Sequence, residues 1–154
     1  MTAELEHRIA RLEAIEDIKR LKVRYAKICD AGYSPDEAVK VFTDDAVWDG
    51  GEQLGRHEGI EAIRQFFAET KISWAVHYMI APVVDVGPDL KTAEGTWYLW
   101  EPCTIEGTAI WIMARYADQL RLEDDGWKFS EMLVDSQAVT PVREDWVSER
   151  FWGG

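Results

Sequence analysis

A single histidine sits in the middle of an apolar run. Residues 70–82 read TKISWAVHYMIAP, in which large apolar and aromatic side chains surround His77. Imidazole titrates near neutral pH, so a carboxylate that orients one ring nitrogen lets the other act as a general base. The acids best placed to do so are Asp30, at the end of a predicted helix, and Glu101, on a neighbouring predicted strand. The alternatives are a hydrogen-bonded core histidine, the commoner role for such a residue, and a turn role for Asp30.

The elements that would position these residues begin with helices. Apolar residues recur at steps of three and four from Leu5 to Ile28, which predicts one amphipathic helix across residues 3–30. Gly32 permits the left-handed cap that ends it, and Ser34-Pro35 starts a short second helix through Phe42. The segment GIEAIRQFFAET has the spacing of a third helix, after a short strand and glycine-rich turn in DDAVWDGGEQLG.

Beyond residue 70 the apolar period changes to two, which predicts long strands separated by short turns. These four strands are ISWAVHYMIAPVVDV, KTAEGTWYLWEPCTIEG, TAIWIMARYADQLRLED and GWKFSEMLVDSQAV. Helices followed by a meander predict an α+β fold in which the helices cover one face of a curved antiparallel sheet. Since no repeat, linker or low-complexity stretch interrupts the chain, residues 1–154 are predicted to form a single domain.

The open end of such a sheet can hold a ligand, and strand alternation indicates which side chains share a face. Alternation does not say which faces are concave. The predicted substrate-binding residues are Trp48, Trp74, Met79, Trp97, Leu99, Trp111, Met113 and Arg115. Each tryptophan alone is more often a core residue, and two or three of them are expected to line a pocket. Arg115 either pairs with an internal acid, the commoner arrangement, or holds a substrate oxygen.

Composition narrows the classes of partner. Asp and Glu outnumber Lys and Arg by 29 to 17, giving a net charge of −12, which argues against nucleic acid and anionic membranes as partners. The first residues are too charged for a signal peptide and no apolar run is long enough to span a membrane, so a cytoplasmic location is expected. Eight tryptophans favour a flat apolar ligand. Because both faces of the strands are apolar, a homo-oligomer, dimer or trimer, is expected.

Metal and cofactor motifs are missing from the sequence. Cys29 and Cys103 are far apart and lack CxxC spacing, which argues against a zinc site or a disulfide framework. One histidine with dispersed acids does not predict a transition-metal site. No glycine-rich phosphate loop is present, so no nucleotide or other cofactor is predicted.

Six segments together resemble a known family. In order they are AIEDIKRLKVRYAKICDAG, FTDDAVWDG, GIEAIRQFF, WAVHYMIAP, KTAEGTWYL and DDGWKF, which cover nearly the whole chain. They are similar to the SnoaL-like group of the nuclear transport factor 2-like superfamily. The resemblance implies a cystatin-like cone: a long N-terminal helix and two shorter helices packed on a curved antiparallel or mixed sheet.

The resemblance also implies a catalytic set. The pattern is similar to scytalone dehydratases, bile-acid dehydratases and hexachlorocyclohexane dehydrochlorinases, which catalyse cofactor-free eliminations with an aspartate-supported histidine. On that similarity the dyad falls on Asp30 and His77, a catalytic tyrosine on Tyr25, and a strand acid on Glu101, where the bile-acid enzymes carry aspartate. Their last-strand arginine has no counterpart in MLVDSQAV, which puts a bile-acid substrate in doubt.

The function predicted from the sequence is therefore a cofactor-independent lyase, of the dehydratase or eliminase type. Its substrate would be a small, apolar, aromatic molecule. An isomerase or cyclase that uses the same base is the first alternative. A non-catalytic small-molecule-binding module is the second, because folds of this kind are reused without chemistry.

Overall fold

The computed structural model describes residues 2–143. Its elements in chain order are α1 (Ala3–Asp30), α2 (Pro35–Ala38), a 3-10 turn (Val39–Val41), β1 (Phe42–Asp49), α3 (Gly51–Leu54), β2 (Arg56–Glu58), α4 (Ile60–Ala68), β3 (Ile72–Ala75), β4 (Tyr78–Val86), β5 (Thr92–Ile105), β6 (Thr108–Glu123) and β7 (Gly126–Pro141). Within this part of the chain, no helix is both long enough and apolar enough to cross a membrane.

The long helix α1 has the predicted bounds, and its end is sharply defined. Gly32 has φ +102°, as the predicted left-handed cap requires. The N–H of Tyr33 donates to Ile28 O at 3.0 Å and that of Gly32 to Cys29 O at 3.0 Å. This is the Schellman pattern of hydrogen bonds, which satisfies the last carbonyls of a helix. It fixes the direction in which Asp30 and Tyr33 leave the helix.

The strands form one seven-stranded sheet, in the order β2-β1-β7-β6-β5-β3, with β4 also paired to β5. The β1–β7 pair is parallel and the other pairs are antiparallel, so the sheet is mixed. Helix α1 packs across the sheet against β4 and β7. The predicted α+β cone with a curved mixed sheet is confirmed.

The strand predicted across residues 72–86 is broken, and this prediction was wrong. Strand β3 ends at Ala75 and β4 begins at Tyr78. Between them the N–H of Val76 donates to Pro102 O at 3.1 Å, but proline has no N–H to return the bond. The ladder is therefore weakened at this point, and His77 lies in the gap. The turn predicted after β1 also differs, since residues 51–54 form the one-turn helix α3.

Burial alternates along β5 and identifies the inner face of the sheet. Trp97, Leu99 and Glu101 are each 3–4% exposed, whereas Tyr98 and Trp100 are 52% and 42% exposed. Cross-strand partners share a face, so the partners of Tyr98 and Trp100 point outward with them. The inner face, beneath α1, is the one that carries Glu101.

Four predicted cavity-wall residues lie on the outer face instead. Met113 lies opposite Trp100, Arg115 opposite Tyr98, and Trp111 opposite Pro102. Trp74, opposite Thr104, is 55% exposed. The guanidinium of Arg115 lies over the Tyr98 ring at 5.7 Å rather than against an internal acid. These residues do not face the interior with His77. Alternation only groups side chains by face, and the inner face is the one against which α1 packs.

Aromatic rings fill the interior beneath α1. The Tyr25 ring lies 6.0–6.3 Å from four others, all in edge-on arrangements; they belong to Phe42, Phe67, Tyr116 and Phe129. Edge-to-face pairs at this spacing add to the free energy gained from burial alone. The middle of the cone is therefore a packed aromatic core.

One buried ion pair crosses this core. Lys22 Nζ lies 2.7 Å from Asp118 Oδ2 and 3.4 Å from the Tyr116 ring centroid, and both charged side chains are essentially unexposed. Burial lowers the pKa of Lys22 to about 8 and raises that of Asp118 to about 6. The mutual attraction and the ring face offset part of the cost of removing two charges from water.

We expect the single variant Lys22→Met to lose about 3–5 kcal/mol of unfolding free energy, because it leaves the Asp118 carboxyl buried without its cation. The double variant Lys22→Met/Asp118→Leu should recover most of that loss, since no unpaired charge remains. Urea unfolding of both variants tests this. Lys40→Met, which removes a half-exposed pair with Glu37 on the surface, is the control and should change stability by less than about 1 kcal/mol. A double variant as unstable as the single one would contradict the prediction.

The outer face carries a group of exposed aromatic side chains. Tyr78 stacks on Trp100 and Trp100 on Trp111, each with ring centroids 5.4 Å apart, and Trp74 is exposed on the neighbouring strand β3. Contiguous exposed apolar surface commonly marks an interface. The predicted homo-oligomer would form through this outer aromatic face.

We expect Trp100→Glu to lower the molar mass in solution to that of the monomer, because a charge would have to be buried in the interface. Light scattering after size-exclusion chromatography measures it. Val23→Glu, which places the same charge on the exposed side of α1, should leave the mass unchanged. A monomeric wild-type protein, or equal masses for all three proteins, would refute the interface.

Candidate functional site

The end of α1 and the gap between β3 and β4 meet at Asp30 and His77. A single carboxylate oxygen, Asp30 Oδ1, lies 2.7 Å from His77 Nδ1 and 2.9 Å from the His77 backbone N. Both distances are those of good hydrogen bonds. The backbone N–H of His77 is available because the strand is interrupted here. Asp30 therefore fixes both the main chain and the ring of His77.

The other ring nitrogen faces the sheet interior. The flanking pairs Ala75–Cys103 and Tyr78–Trp100 place His77 opposite Glu101 on β5. Accordingly, His77 Nε2 lies 3.4 Å from Glu101 Oε2. The imidazole is thus held between two carboxyl groups, one on each nitrogen.

A tyrosine that sequence reasoning missed completes the group around Nε2. The Tyr33 hydroxyl lies 3.5 Å from His77 Nε2 and donates to Glu101 Oε1 at 3.3 Å. Its signal in the sequence was weak: an aromatic residue directly after the cap glycine, in a segment where polar turn residues are usual. The Schellman cap turns the chain at Gly32, and Tyr33, with φ +57°, then points back under α1.

The site is largely closed to solvent. The side chains of His77 and Glu101 are each 4% exposed, and that of Asp30 is 30% exposed. Burial raises the pKa of Glu101 above its ordinary value, and the nearby His77 and the Tyr33 hydrogen bond offset part of that rise. Burial likewise raises the pKa of Tyr33 well above the usual range for a phenol. A buried carboxyl whose pKa is raised toward neutrality is better suited to give and take a proton than an exposed one.

Tyr25 lies deeper in the core. Its hydroxyl accepts a hydrogen bond from Trp48 Nε1 at 3.2 Å, and its side chain is enclosed by the aromatic rings already described. The tyrosine hydroxyl that contacts the histidine is that of Tyr33. Trp48, a predicted pocket residue, is also buried, and its ring packs 4.3 Å from that of Phe66.

Three predicted binding residues do share the inner face with Glu101. Trp97 and Leu99 are buried on β5, and Met79, opposite Leu99, is half-buried on β4. Next to Leu99 across the sheet is Ala114, and beyond it Ser136, whose Oγ is buried without a hydrogen-bond partner among the described residues. An unsatisfied buried hydroxyl is uncommon and is a ready partner for a ligand atom.

Two surface clefts lie away from this group. One, of about 380 Å³, lies between β1 and the β6–β7 turn and is lined by residues such as Asp45 and Arg121. The other, of about 430 Å³, lies along the exposed side of α1 around Val23. Neither is lined by His77. Within residues 2–143 no three histidine, cysteine or acidic side chains are grouped so as to hold a metal ion.

Comparison with known proteins identifies a protein family that the chain matches. The model of the SnoaL-like domain matches residues 10–133. No curated protein matches the chain.

Three solved structures illustrate the likeness. A protein of Novosphingobium aromaticivorans named as an aromatic ring hydroxylase is 27% identical with a TM-score of 0.78, covering 85% of this chain and 94% of its own. A hexachlorocyclohexane dehydrochlorinase, LinA-type3, from Novosphingobium barchaimii is 21% identical with a TM-score of 0.74, covering 90% and 94%. A protein of N. aromaticivorans named as a scytalone dehydratase is 17% identical with a TM-score of 0.77, covering 88% and 92%. At 21% and 17% identity, the dehydrochlorinase and the dehydratase show only that the fold is shared.

We expect Glu101→Gln to stabilise the protein at pH 8 by about 1–3 kcal/mol, because it removes a carboxylate that burial disfavours. Glu101 has a raised pKa in the folded state, so its contribution to stability falls as pH rises from its ordinary value of 4.5 through the folded pKa. Below pH 4.5 the variant and the wild type should therefore differ little. Thermal unfolding across pH 4–8 measures the difference, at about 2–4 °C per kcal/mol for a chain of this size.

Glu94→Gln, an exposed position on the same strand, is the matched control and should show no such trend. If Glu101→Gln were less stable than the wild type at pH 8, the carboxylate would be stabilised in this site, and the argument from burial would fail.

Proposed function

We propose that this chain, which belongs to the SnoaL-like domain family, is a cofactor-independent lyase in which His77 is the general base. The observation that carries the proposal is the double hydrogen bond from His77 to one oxygen of Asp30. A carboxylate on Nδ1 holds the proton there, so the neutral ring presents an unprotonated Nε2. It also stabilises the imidazolium that forms when Nε2 takes a proton.

The reaction is an elimination. His77 Nε2 removes a proton from a carbon of the substrate, and a group on the adjacent carbon departs with its bonding electrons, leaving a double bond. Glu101, at 3.4 Å from Nε2, is the second acid–base group of the site. A positioned base of this kind contributes about two to four orders of magnitude in rate, and a water-poor site strengthens the electrostatic part.

The substrate is a small, apolar, aromatic molecule. Met79 and Leu99 would supply apolar contacts on the inner face, and the unpartnered hydroxyl of Ser136 would bind a substrate oxygen. The names of the similar structures support both parts of the proposal: a dehydratase and a dehydrochlorinase expel a small group, and the third is named for an aromatic substrate.

An isomerase or cyclase is the second candidate, and the position of Glu101 favours it. An acid that contacts the same ring nitrogen can return the abstracted proton to another substrate atom, so that no group leaves. The mass of the product separates the two, since the product of this elimination has lost water or hydrogen halide and an isomerase product has the mass of its substrate.

We expect His77→Ala and Asp30→Asn each to reduce base-catalysed elimination by about 10²–10⁴-fold. The probe is 5-nitrobenzisoxazole, whose ring opens to a coloured nitrile phenolate when a base removes its carbon-bound proton. Initial rates are measured by absorbance, with circular dichroism to show that each variant is folded. His57→Ala and Asp17→Asn, the same replacements at residues outside the site, should keep the wild-type rate.

A screen of phenols and other aromatic compounds by thermal stabilisation would then identify natural-type ligands, since a ligand at a hundred times its Kd adds about 2.7 kcal/mol. Product masses from the hits decide between lyase and isomerase. A wild-type rate equal to that of buffer, or an unchanged rate for His77→Ala, would leave the chain as a binding module.

A further inference from the structure

We infer that Tyr33 is the general acid of the site and that Glu101 supplies the proton it gives. This inference rests on the proposed elimination and assigns its acid step to a residue that sequence similarity placed elsewhere, on Tyr25. Its basis is the triangle of polar atoms formed by His77 Nε2, the Tyr33 hydroxyl and the Glu101 carboxyl.

The three sides of this triangle are 3.5, 3.3 and 3.4 Å. An O–H···O hydrogen bond is usually about 2.7–2.8 Å, so these contacts are long. A substrate oxygen that enters beside Nε2 can therefore take hydrogen bonds from groups that are only weakly engaged with one another. By contrast, the two Asp30 contacts to the other side of His77 are short, so the base stays fixed while its acid partners rearrange.

Tyr25 is poorly placed for the acid role. Its ring is held by four aromatic neighbours, and its hydroxyl is engaged by the Trp48 indole. To reach a leaving group beside His77, it would have to break these contacts. Tyr33 is held by ring contacts of 5.9 Å to Phe67 and 6.0 Å to His77, and its hydroxyl already lies at the reacting nitrogen.

The proton balance of the cycle closes without any external donor. The cycle starts from the form in which Glu101 is protonated, Tyr33 is a neutral phenol and His77 Nε2 is unprotonated. Nε2 takes the carbon-bound proton, the bond to the leaving hydroxyl breaks, and Tyr33 gives its proton to that hydroxyl, which departs as water. To do so, Tyr33 turns its O–H from Glu101 Oε1 to the leaving hydroxyl, and its oxygen then takes the proton of Glu101. The imidazolium returns its proton across 3.4 Å to Glu101 Oε2, which makes the carboxyl neutral again.

Burial explains why the two acids act together. It raises the pKa of Tyr33 so far that a free tyrosinate would be costly, and it raises the pKa of Glu101, so that this carboxyl holds a proton more firmly than an exposed one. A phenol that receives one proton while giving another never carries the charge. The charge instead appears on Glu101, beside the imidazolium that has just formed.

We expect Tyr33→Phe to lower kcat by about 10–10³-fold with little change in KM, since the hydroxyl acts on the leaving group rather than on binding. The Phe67 contact of the ring is kept, so the variant should fold. Rates are measured on 5-nitrobenzisoxazole, whose leaving oxygen develops a negative charge that the Tyr33 O–H would stabilise as a hydrogen-bond donor, and on any hit that loses water. Tyr98→Phe, the same deletion on the outer face, is the control and should match the wild type.

Tyr25→Phe decides between the two tyrosines. If it lowers kcat more than Tyr33→Phe does, the assignment to Tyr33 is overturned. If His77→Ala and Asp30→Asn abolish turnover while the kcat of Tyr33→Phe stays within about threefold of the wild type, His77 remains the base and Tyr33 is not the general acid. If none of these variants lost turnover, the proposed elimination itself would be refuted.

Infrared spectroscopy tests the resting arrangement without a substrate. Just above pH 4.5, the ordinary pKa of a glutamate, the wild type should show a carboxylic acid carbonyl band that Glu101→Gln removes. Tyr33→Phe should move this band to higher frequency, because the hydrogen bond to Glu101 is lost, and Tyr25→Phe should leave it in place. No protonated carboxyl band, or one that Tyr33→Phe does not move, overturns the proton relay.

Discussion

The geometry of the site depends on one carboxylate oxygen, Asp30 Oδ1, which accepts two hydrogen bonds from His77. The bond to the main chain anchors the end of α1 to the edge of the sheet, and the bond to the ring sets the orientation of the imidazole. The first of these bonds needs a backbone N–H that is not used in the sheet. The gap between β3 and β4, next to a proline that cannot complete the ladder, provides it. The gap between β3 and β4 is therefore the place where the end of α1 is attached to the sheet.

Desolvation is the second constraint. The cone buries Lys22 and Asp118 in its aromatic core, and it buries Tyr33 and Glu101 beside the histidine. Burial shifts the pKa of each group in the direction that favours its neutral form. The two groups differ in how they are compensated. Lys22 and Asp118 have each other at 2.7 Å, whereas Tyr33 and Glu101 have only long contacts. The first arrangement stabilises a fixed structure, and the second leaves polar atoms ready to re-pair with a ligand.

Membership of the SnoaL-like family explains why the elements are arranged in this way, and the groups around His77 Nε2 come from distant parts of the chain. The strand acid is a glutamate, whose longer side chain reaches both His77 and the Tyr33 hydroxyl. Tyr33 lies in the turn after α1, so the cap that ends the helix also positions the Tyr33 hydroxyl beside His77. On the last strand the inner face carries Ser136, a neutral hydroxyl without a partner in the described structure.

Much of this could be predicted from the sequence. The helix across residues 3–30, its glycine cap and the α+β class follow from local patterns: apolar spacing, a left-handed glycine and strand alternation. The cystatin-like cone with its mixed sheet was implied by the resemblance to the family. The pairing of Asp30 with His77 was also proposed from the sequence, and the structure brings the two side chains into contact. What local patterns cannot fix is any property that depends on which face packs against α1.

Only the tertiary structure decided the rest. Trp74, Trp111, Met113 and Arg115 alternate as pocket residues would, yet they point outward, because α1 covers the opposite face. Tyr33 enters the site because the cap turns the chain back, and Lys22 is buried because Asp118 lies opposite it on a strand 96 residues later. Sequence determines local conformation through the backbone and its nearest neighbours. Side-chain environment depends on contacts between distant segments, which exist only once the sheet and helix have packed.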